Sequence, residues 1–571
     1  MTNRTKRNPD GTYSVRCPGY GLDVNGHKVT VYVENTVFAV LDVRSAVPKT
    51  NDGNDGFIKD AEPDIPKLCG TEITAREAVF TWKNRSALWS KTYTLRCDHL
   101  RFTFGVTVEG EGRVDAVEYF SGDTGRAAHG SDYEFSEGFT PCVSWYDRED
   151  YTFKASLDCH RWSVLMVPPM FCYAFRCEGL TRRLGLGLVA QRGEHNFNAF
   201  DYRVNRVGFR SAFKLTTDQS GHVTVKGRWD TPTVIGFGGD DQWDVLRQYA
   251  DYYYSSGIAS PVRQGIKPRF WYGPLLCGWI EQCIKGVEQA VPASSLAREN
   301  VYEELLDKMR AYNLHPSALI IDDKWQKQYA VAQADPARFP DMRAFIDRRH
   351  AEGLKTLLWF KLWDREGRED CPSITGDDGR ACYDPSHPSF LAHLDTVMHR
   401  LLSSDEGCYN CDGFKIDFAF WMPIGRGVQT YSGKYGVELL YDLMQAIYTR
   451  AKAVRPDALI NASPCHPYFA SVCDQARLHD YEQKNRNNRE DLSMRARMYE
   501  IALPGVLIDT DNAGFASKRD SMRWLLSQQS VGVPDLYALS GTDTCPMSAE
   551  DFAAVAQMWD EYNRKIDRYY E

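Results

Sequence analysis

The chain has 571 residues, too many for one ordinary domain, and its 43% apolar and 25% charged residues are the balance of a soluble globular protein. A formal net charge of -9 argues against general polyanion binding, so nucleic acid is not an expected partner. No run approaches the ~18 consecutive apolar residues of a membrane span, and the opening MTNRTKRNPDGTY has basic residues without the apolar core of a secretory signal. The 16 Cys without an export signal point to reduced thiols and a cytoplasmic location. The C-x-x-C pair Cys408 and Cys411 lacks a second pair at zinc spacing, and reads as free thiols in a loop leading into a strand. Aromatic residues, at 13%, suit sugar-stacking surfaces and cores equally well.

From residue 11 to about 235, short alternating runs such as KVTVYVENTVFAVLDV, LRFTFGVTVEG and GHVTVKGRWD are punctuated by Gly, Asp and Asn. Period-two alternation with frequent turn residues predicts an antiparallel β-sandwich over 1–238. A helical patch, DDQWDVLRQYADYYYSS, and a stretch bounded by Pro261 and Pro268 make 239–268 a helical linker. From Arg269 onward, short apolar runs alternate with amphipathic segments of helical period. RFWYGPLLCGW, SALIIDD, KTLLWF, GFKIDF, ALINASP, DQARLHD, GVLIDTD and PDLYALSG are the predicted strands. Eight strand-helix units in roughly 300 residues is the length of a (β/α)8 barrel, over 269–571. A doubly wound open sheet usually carries a Gly-rich turn after its first strand, and none is visible.

Catalytic groups of such barrels come from the C-terminal ends of the strands. Those ends carry Asp322 and Asp323, Lys415 and Asp417, Asn461 to Ser463, Arg477 and Asp480, and Asp509 and Asp511. A Lys and an Asp two apart in the apolar run of GFKIDF demand a partner or a task. Several carboxylates suit a divalent metal or glycoside hydrolysis. His466 and His479 are isolated from the carboxylates at transition-metal spacing, and no metal or other cofactor is expected. Glycoside hydrolysis needs one ionised and one protonated carboxyl. On this reading Lys415 keeps Asp417 charged and also reaches a sugar hydroxyl.

In this order and spacing, IDDKWQ, RFPDMRAFIDRRHAEGLKTLLWF, GFKIDF and NASP…CDQARLHD resemble the α-galactosidases of glycoside hydrolase family 36, whose clan also includes families 27 and 31. The resemblance runs from about Trp279 to the C-terminus and more loosely over the sandwich. It implies that Asp417 is the nucleophile of a retaining mechanism and Asp480 the general acid/base. It further implies that Asp322 and Asp323 grip the 4- and 6-hydroxyls of galactose, that Lys415 and Arg477 contact other hydroxyls, and that Trp359 forms an aromatic wall. Asn461 stands where the family usually has a Cys, near the 2-hydroxyl. The family's C-terminal β domain has no counterpart after the barrel, and KLWDREGREDCPSITGDDG is a long insertion after the third strand.

Bland alternatives stand beside these. Asp509 and Asp511 read better as caps or loop holders than as second acids. Glu482 is the substitute if Asp480 is not the acid, and Trp325, Trp363 and Trp421 suit core packing as well as a sugar subsite. The expected function is hydrolysis of terminal α-galactosides in oligosaccharides or glycoconjugates. Another α-linked sugar (N-acetylgalactosamine or a glucose type), transglycosylation, or a non-catalytic carbohydrate-binding barrel are the alternatives. The expected partner is a glycoside substrate, without nucleic acid or membrane; a homo-oligomer is compatible with the sequence.

Overall fold

Period-two alternation builds the N-terminal part of the molecule. The computed structural model describes residues 4–51, 53, 56–123, 130–139, 153–154, 168–207, 210–263, 265–419, 422–478, 481–482, 488–515, 517–540 and 547–571. Its two longest strands, Phe102–Tyr119 and Arg210–Asp230, pair antiparallel from Thr107↔Asp230 to Tyr119↔Leu215. Phe102, Phe104, Val106 and Val108 face the core at alternate positions, and a register shift between Val114 and Ala116 bends the ladder. Shorter antiparallel strands, from Arg4–Arg7 to Thr233–Gly239, extend the network, and their inner faces close over a shared apolar core. This is the antiparallel sandwich that the alternation predicts.

Helix α1 (Gln242–Ser255) follows, started by Asp241, whose side chain accepts the Asp244 N–H. Trp243, Leu246, Ala250 and Tyr253 recur at helical spacing and are buried. The segment 239–268 is therefore more than a tether. The Tyr249 hydroxyl donates to the Leu188 carbonyl of the sandwich at 2.8 Å and lies 3.0 Å from Nε2 of His466 in the C-terminal part. Beside it, Glu438 accepts the His195 N–H at 2.9 Å and the Tyr468 hydroxyl at 3.0 Å.

In the C-terminal part, each predicted run supplies one strand of a parallel ring. In chain order these are Leu275–Cys277, Ala318–Ile321, Lys355–Phe360, Gly413–Ile416, Leu459–Ala462, Gln475–Arg477, Leu507–Asp509 and Asp535–Leu536, here barrel strands 1 to 8. Strand 1 pairs with strands 2 and 8, and a parallel bridge between Asp509 and Val533 closes the ring. Outside it lie α2 (Trp279–Gln289), α3 (Glu299–Ala311), α4 (Met342–Ala351), α5 (Pro388–Leu402), α6 (Gly436–Val454), α7 (Asn488–Ala502), α8 (Lys518–Ser527) and α9 (Ala549–Tyr570). The connection after strand 5 is a 3-10 segment, Pro467–Val472. The fold is a (β/α)8 barrel preceded by a β-sandwich.

Alternation also sorts the barrel interior. Leu275, Ala318, Ile320, Leu357, Leu459 and Val533 form an apolar floor, separate from the core under the helices. Toward the C-terminal strand ends the buried residues become polar: Asp322, Lys415, Asn461, Arg477 and Asp509. The insertion after strand 3 forms a hairpin, Ser373–Thr375 with Ala381–Tyr383. It braces the loop behind strand 4, because Asp377 accepts the N–H groups of Arg426 (3.0 Å) and Gly427 (3.1 Å). Arg426 in turn pairs with Asp115 of the sandwich at 2.5 Å.

Gly413, which opens strand 4, sits at φ +149°, and a Cβ there would lie 2.2 Å from the Leu459 carbonyl oxygen. Gly413→Ala should therefore cost about 2 kcal/mol or more. Gly407, at φ +81° with nothing within 4 Å of an added Cβ, is the control for backbone strain alone. Thermal denaturation of both variants checks this: Gly413→Ala should melt well below Gly407→Ala, and equal melting would show that the strand 4–strand 5 contact yields easily.

Candidate active site

Asp417 leaves the C-terminal end of strand 4 toward the barrel mouth. Arg477, at the end of strand 6, donates to its Oδ1 at 3.0 Å, the Phe418 N–H reaches the same oxygen at 3.0 Å, and the Trp359 indole N–H reaches Oδ2 at 3.3 Å. The charged donor makes the strongest of these bonds. Asp417 keeps 15% of its side chain exposed, whereas Arg477 keeps 1%. With Phe418, Leu440, Met444, Ser463 and Phe469, Asp417 lines a small, mainly apolar cleft beside α6.

The sequence reading put Lys415 on Asp417, and the structure corrects it. Lys415 emerges two residues deeper, and its long stem carries Nζ to Asp322 Oδ2 at 2.7 Å, with both side chains 3% exposed. Among the described residues, the cation on Asp417 is Arg477. Burial works against the Lys415 charge, yet the Asp322 carboxylate holds its ionisation well above the ordinary range. Asp322 is held from other sides as well. Its Oδ1 accepts the Asp323 N–H at 2.8 Å, Cys277 Sγ lies 3.0 Å from Oδ2, and its own N–H donates to the Tyr302 hydroxyl at 2.8 Å.

Asp323 is less deeply buried, and its Oδ1 accepts the Tyr329 hydroxyl at 2.7 Å. Burial, with Asp322 adding to it, pushes its carboxyl up to about 6, against the pull of Tyr329, Lys324 and Lys361. Trp359 is 1% exposed and lies between Tyr329 and Phe418, at ring distances of 5.3 and 6.1 Å. It presents an N–H to Asp417 more than an open wall to solvent. Asn461 is fully buried too, and donates to Asp509 at 2.7 Å and Gln475 at 2.6 Å. It braces the barrel interior rather than standing at the rim.

Asp511 accepts Arg477 at 3.2 Å and the Tyr537 hydroxyl at 2.5 Å, so the strand 7 carboxylates hold other side chains in place. Trp325 and Trp363 are core residues, the former donating to the Trp359 carbonyl at 2.8 Å. Asp480, His479 and Trp421, and the side chain of Glu482, lie outside the described residues. Sequence reasoning missed Tyr329, Tyr537, Asp535 and Cys277. Period-two alternation in PDLYALS signals Asp535, which opens strand 8, and Tyr537 just after it.

Residues 286–399, which carry Asp322, Asp323 and Trp359, match the family model described as the glycosyl hydrolases family 31 TIM-barrel domain. No curated protein matches the chain in sequence. Among solved structures, a GH31 family sulfoquinovosidase from E. rectale is similar with TM-score 0.56 and 13% identity, over 95% of this chain and 82% of that one. The GH36 α-galactosidase of Geobacillus stearothermophilus gives TM-score 0.51 and 10% identity, over 97% and 86%. The GH31 dextranase of Flavobacterium johnsoniae gives 0.52 and 9%, over 97% and 69%. At these identities the structural likeness is one of fold. The matching family model, confined to residues 286–399, is that of family 31 and supports a glycoside hydrolase barrel there.

The Lys415–Asp322 pair should be strongly coupled. Lys415→Met leaves a buried carboxylate without its cation, a loss of about 3–5 kcal/mol. Adding Asp322→Asn should recover much of it, giving an interaction energy above ~1 kcal/mol in a double-mutant cycle of denaturant unfolding. Simply additive losses would mean the two charges do not depend on each other.

Proposed function

We propose that the protein is a retaining α-glycosidase that releases a terminal α-linked hexose, galactose first among candidates, from oligosaccharides or glycoconjugates. The observation that carries this reading is Asp417 at the barrel mouth, oriented by Arg477 at 3.0 Å and Trp359 at 3.3 Å beside the buried Lys415–Asp322 pair. Asp417 attacks the anomeric carbon and forms a covalent glycosyl intermediate. Asp480 protonates the departing oxygen and then, as a carboxylate, draws a proton from the attacking water. Asp323, with its partly exposed carboxyl, is the acceptor for the sugar's 4- and 6-hydroxyls, and Asp322 orients it through the Asp323 N–H at 2.8 Å. The family-36 resemblance of the strand-end motifs favours galactose. A glucose-type sugar is the second reading, favoured by the family-31 match over 286–399.

A panel of nitrophenyl α-glycosides (galactoside, glucoside, N-acetylgalactosaminide and sulfoquinovoside) is the direct test. Galactoside should be preferred to glucoside by a factor of at least about ten. Asp417→Ala should lower turnover by several orders of magnitude, with azide restoring part of it. Near-native rates in that variant would remove Asp417 from the role. No turnover of any sugar, with sugar-dependent thermal stabilisation, would replace the enzyme by a carbohydrate-binding barrel.

The acid limb of the pH profile follows from Asp323. Its carboxyl is pushed up to about 6 by burial, so it is ionised above that pH and protonated below it. An acceptor is lost on protonation, so kcat/KM should fall as pH drops through about 6, and Asp323→Asn should lower the plateau and flatten that limb. An unchanged limb in the variant would assign it to another group.

A further inference from the structure

Beneath the Lys415 and Arg477 cations lies a carboxyl pair that the proposed reaction does not use. Asp509 ends strand 7 and Asp535 begins strand 8; the Asp509–Val533 bridge and the Asp535 N–H, which donates to Thr510 Oγ1 at 3.1 Å, bring the two residues together, and they are 0% and 1% exposed. The two partners differ in what serves them. Asp509 accepts the Asn461 amide N–H at 2.7 Å on Oδ2 and the Asp511 N–H at 2.8 Å on Oδ1. Neither oxygen of Asp535 has a hydrogen-bond partner among the described residues. An ionised Asp535 would have given up its hydration for nothing, beside a second negative charge.

The surroundings offer no relief. Among the described residues, the charged and titratable groups that act on the pair include Cys277 of strand 1, Lys415 of strand 4, Arg477 of strand 6, Asp511 after strand 7 and Tyr537 after strand 8. Of these, and among the described residues, Lys415 is engaged by Asp322 at 2.7 Å, and Arg477 pairs with both Asp417 and Asp511. Among the described residues, no group of three or more His, Cys, Asp or Glu is arranged to hold a metal ion as a substitute counter-charge.

We propose that Asp535 keeps its proton and donates it to Asp509, and that this pair is a positioning element for the sugar site above it. The positioning half rests on the function proposed above; the retained proton does not. A proton on Asp535 lets Asp509 remain an acceptor for Asn461 and for the Asp511 N–H. Asp511, at φ 53°, is fixed by that bond and receives Arg477, which holds Asp417. A second charge at Asp535 would instead draw Lys415 or Arg477 down from the carboxylates they orient. Burial, and then the charges of Asp509 and Asp511, raise the Asp535 carboxyl well above the ordinary range, and burial with Asp511 pushes Asp509 up to about 6.

The test compares wild type, Asp535→Asn and Asp535→Ala. A native state that keeps a proton which the unfolded chain releases near pH ~3.9 loses stability as pH rises above about 4. Asn releases none, so the Tm difference between Asp535→Asn and wild type should move in the variant's favour from about pH 4.5 to pH 8. A difference independent of pH overturns the retained proton. Failure of Asp535→Asn to fold overturns it as well, because the amide keeps both shape and donor without the charge. Asp535→Ala should lower kcat by about tenfold or more, with Asn restoring most of the loss. Equal losses in Ala and Asn overturn the positioning role. Absence of glycosidase activity in wild type overturns the proposed function and leaves the stability experiment intact.

Discussion

The geometry of the barrel mouth depends on one buried guanidinium. Arg477 is 1% exposed, yet it bridges Asp417, 15% exposed, to Asp511, fully buried. A planar fork can hold two carboxylates at fixed angles, which a lysine in the same place could not. One side of the bridge faces the mouth and the other the barrel interior, so the orientation of Asp417 is set from below. Desolvation would make such an array costly without matched partners. Here the partners are layered: Lys415 with Asp322, Arg477 with Asp417 and Asp511, Asn461 with Asp509.

The sandwich belongs to this arrangement. Behind Asp417 the chain runs into a loop that Arg426 pins to Asp115 of the sandwich and Asp377 pins to the inserted hairpin. Farther along, His222 of the sandwich stacks on Tyr435 at 3.7 Å and lies 2.9 Å from the Gly425 carbonyl. Glu438 at the start of α6 is tied to His195. Both ends of the connection between strand 4 and α6 are thus fastened to an element formed hundreds of residues earlier. Loops alone would leave the rim loose.

The fold was legible because it rests on periodicity. Alternation marks the sandwich, and short apolar runs separated by helical patterns mark every barrel strand, including the three-residue ones. The site was legible only as a set of strand ends. Which cation serves which carboxylate depends on depth along the strand, and depth is not written in residue type. Lys415 and Asp417 share a strand face, so proximity in sequence suggested a pair; one strand step sends the long side chain to Asp322 instead. Asn461 and Trp359 mislead for the same reason. Their strand-end positions promise contact with a sugar, but their side chains are buried against Asp509 and Asp417. Of the residues missed, Tyr329 acts through a hydroxyl that no motif distinguishes from that of a core tyrosine.

Depth also separates the protonation states. Asp323 is crowded by Asp322, but it has the Tyr329 hydroxyl and two nearby lysines, and its carboxyl settles at about 6. Asp535 has no donor among the described residues and two carboxylates as neighbours, and its carboxyl rises well above the ordinary range. The same side chain thus meets different surroundings on the two sides of the Lys415–Arg477 layer, and burial raises the lower carboxyl further than the upper one. The upper one is an acceptor available to a hydroxyl; the lower one, on the reading proposed here, is a donor to its neighbour. A barrel whose inward positions alternate strand by strand can make that separation without an added domain or ion, because each step along a strand changes both the solvent and the partners a carboxyl meets.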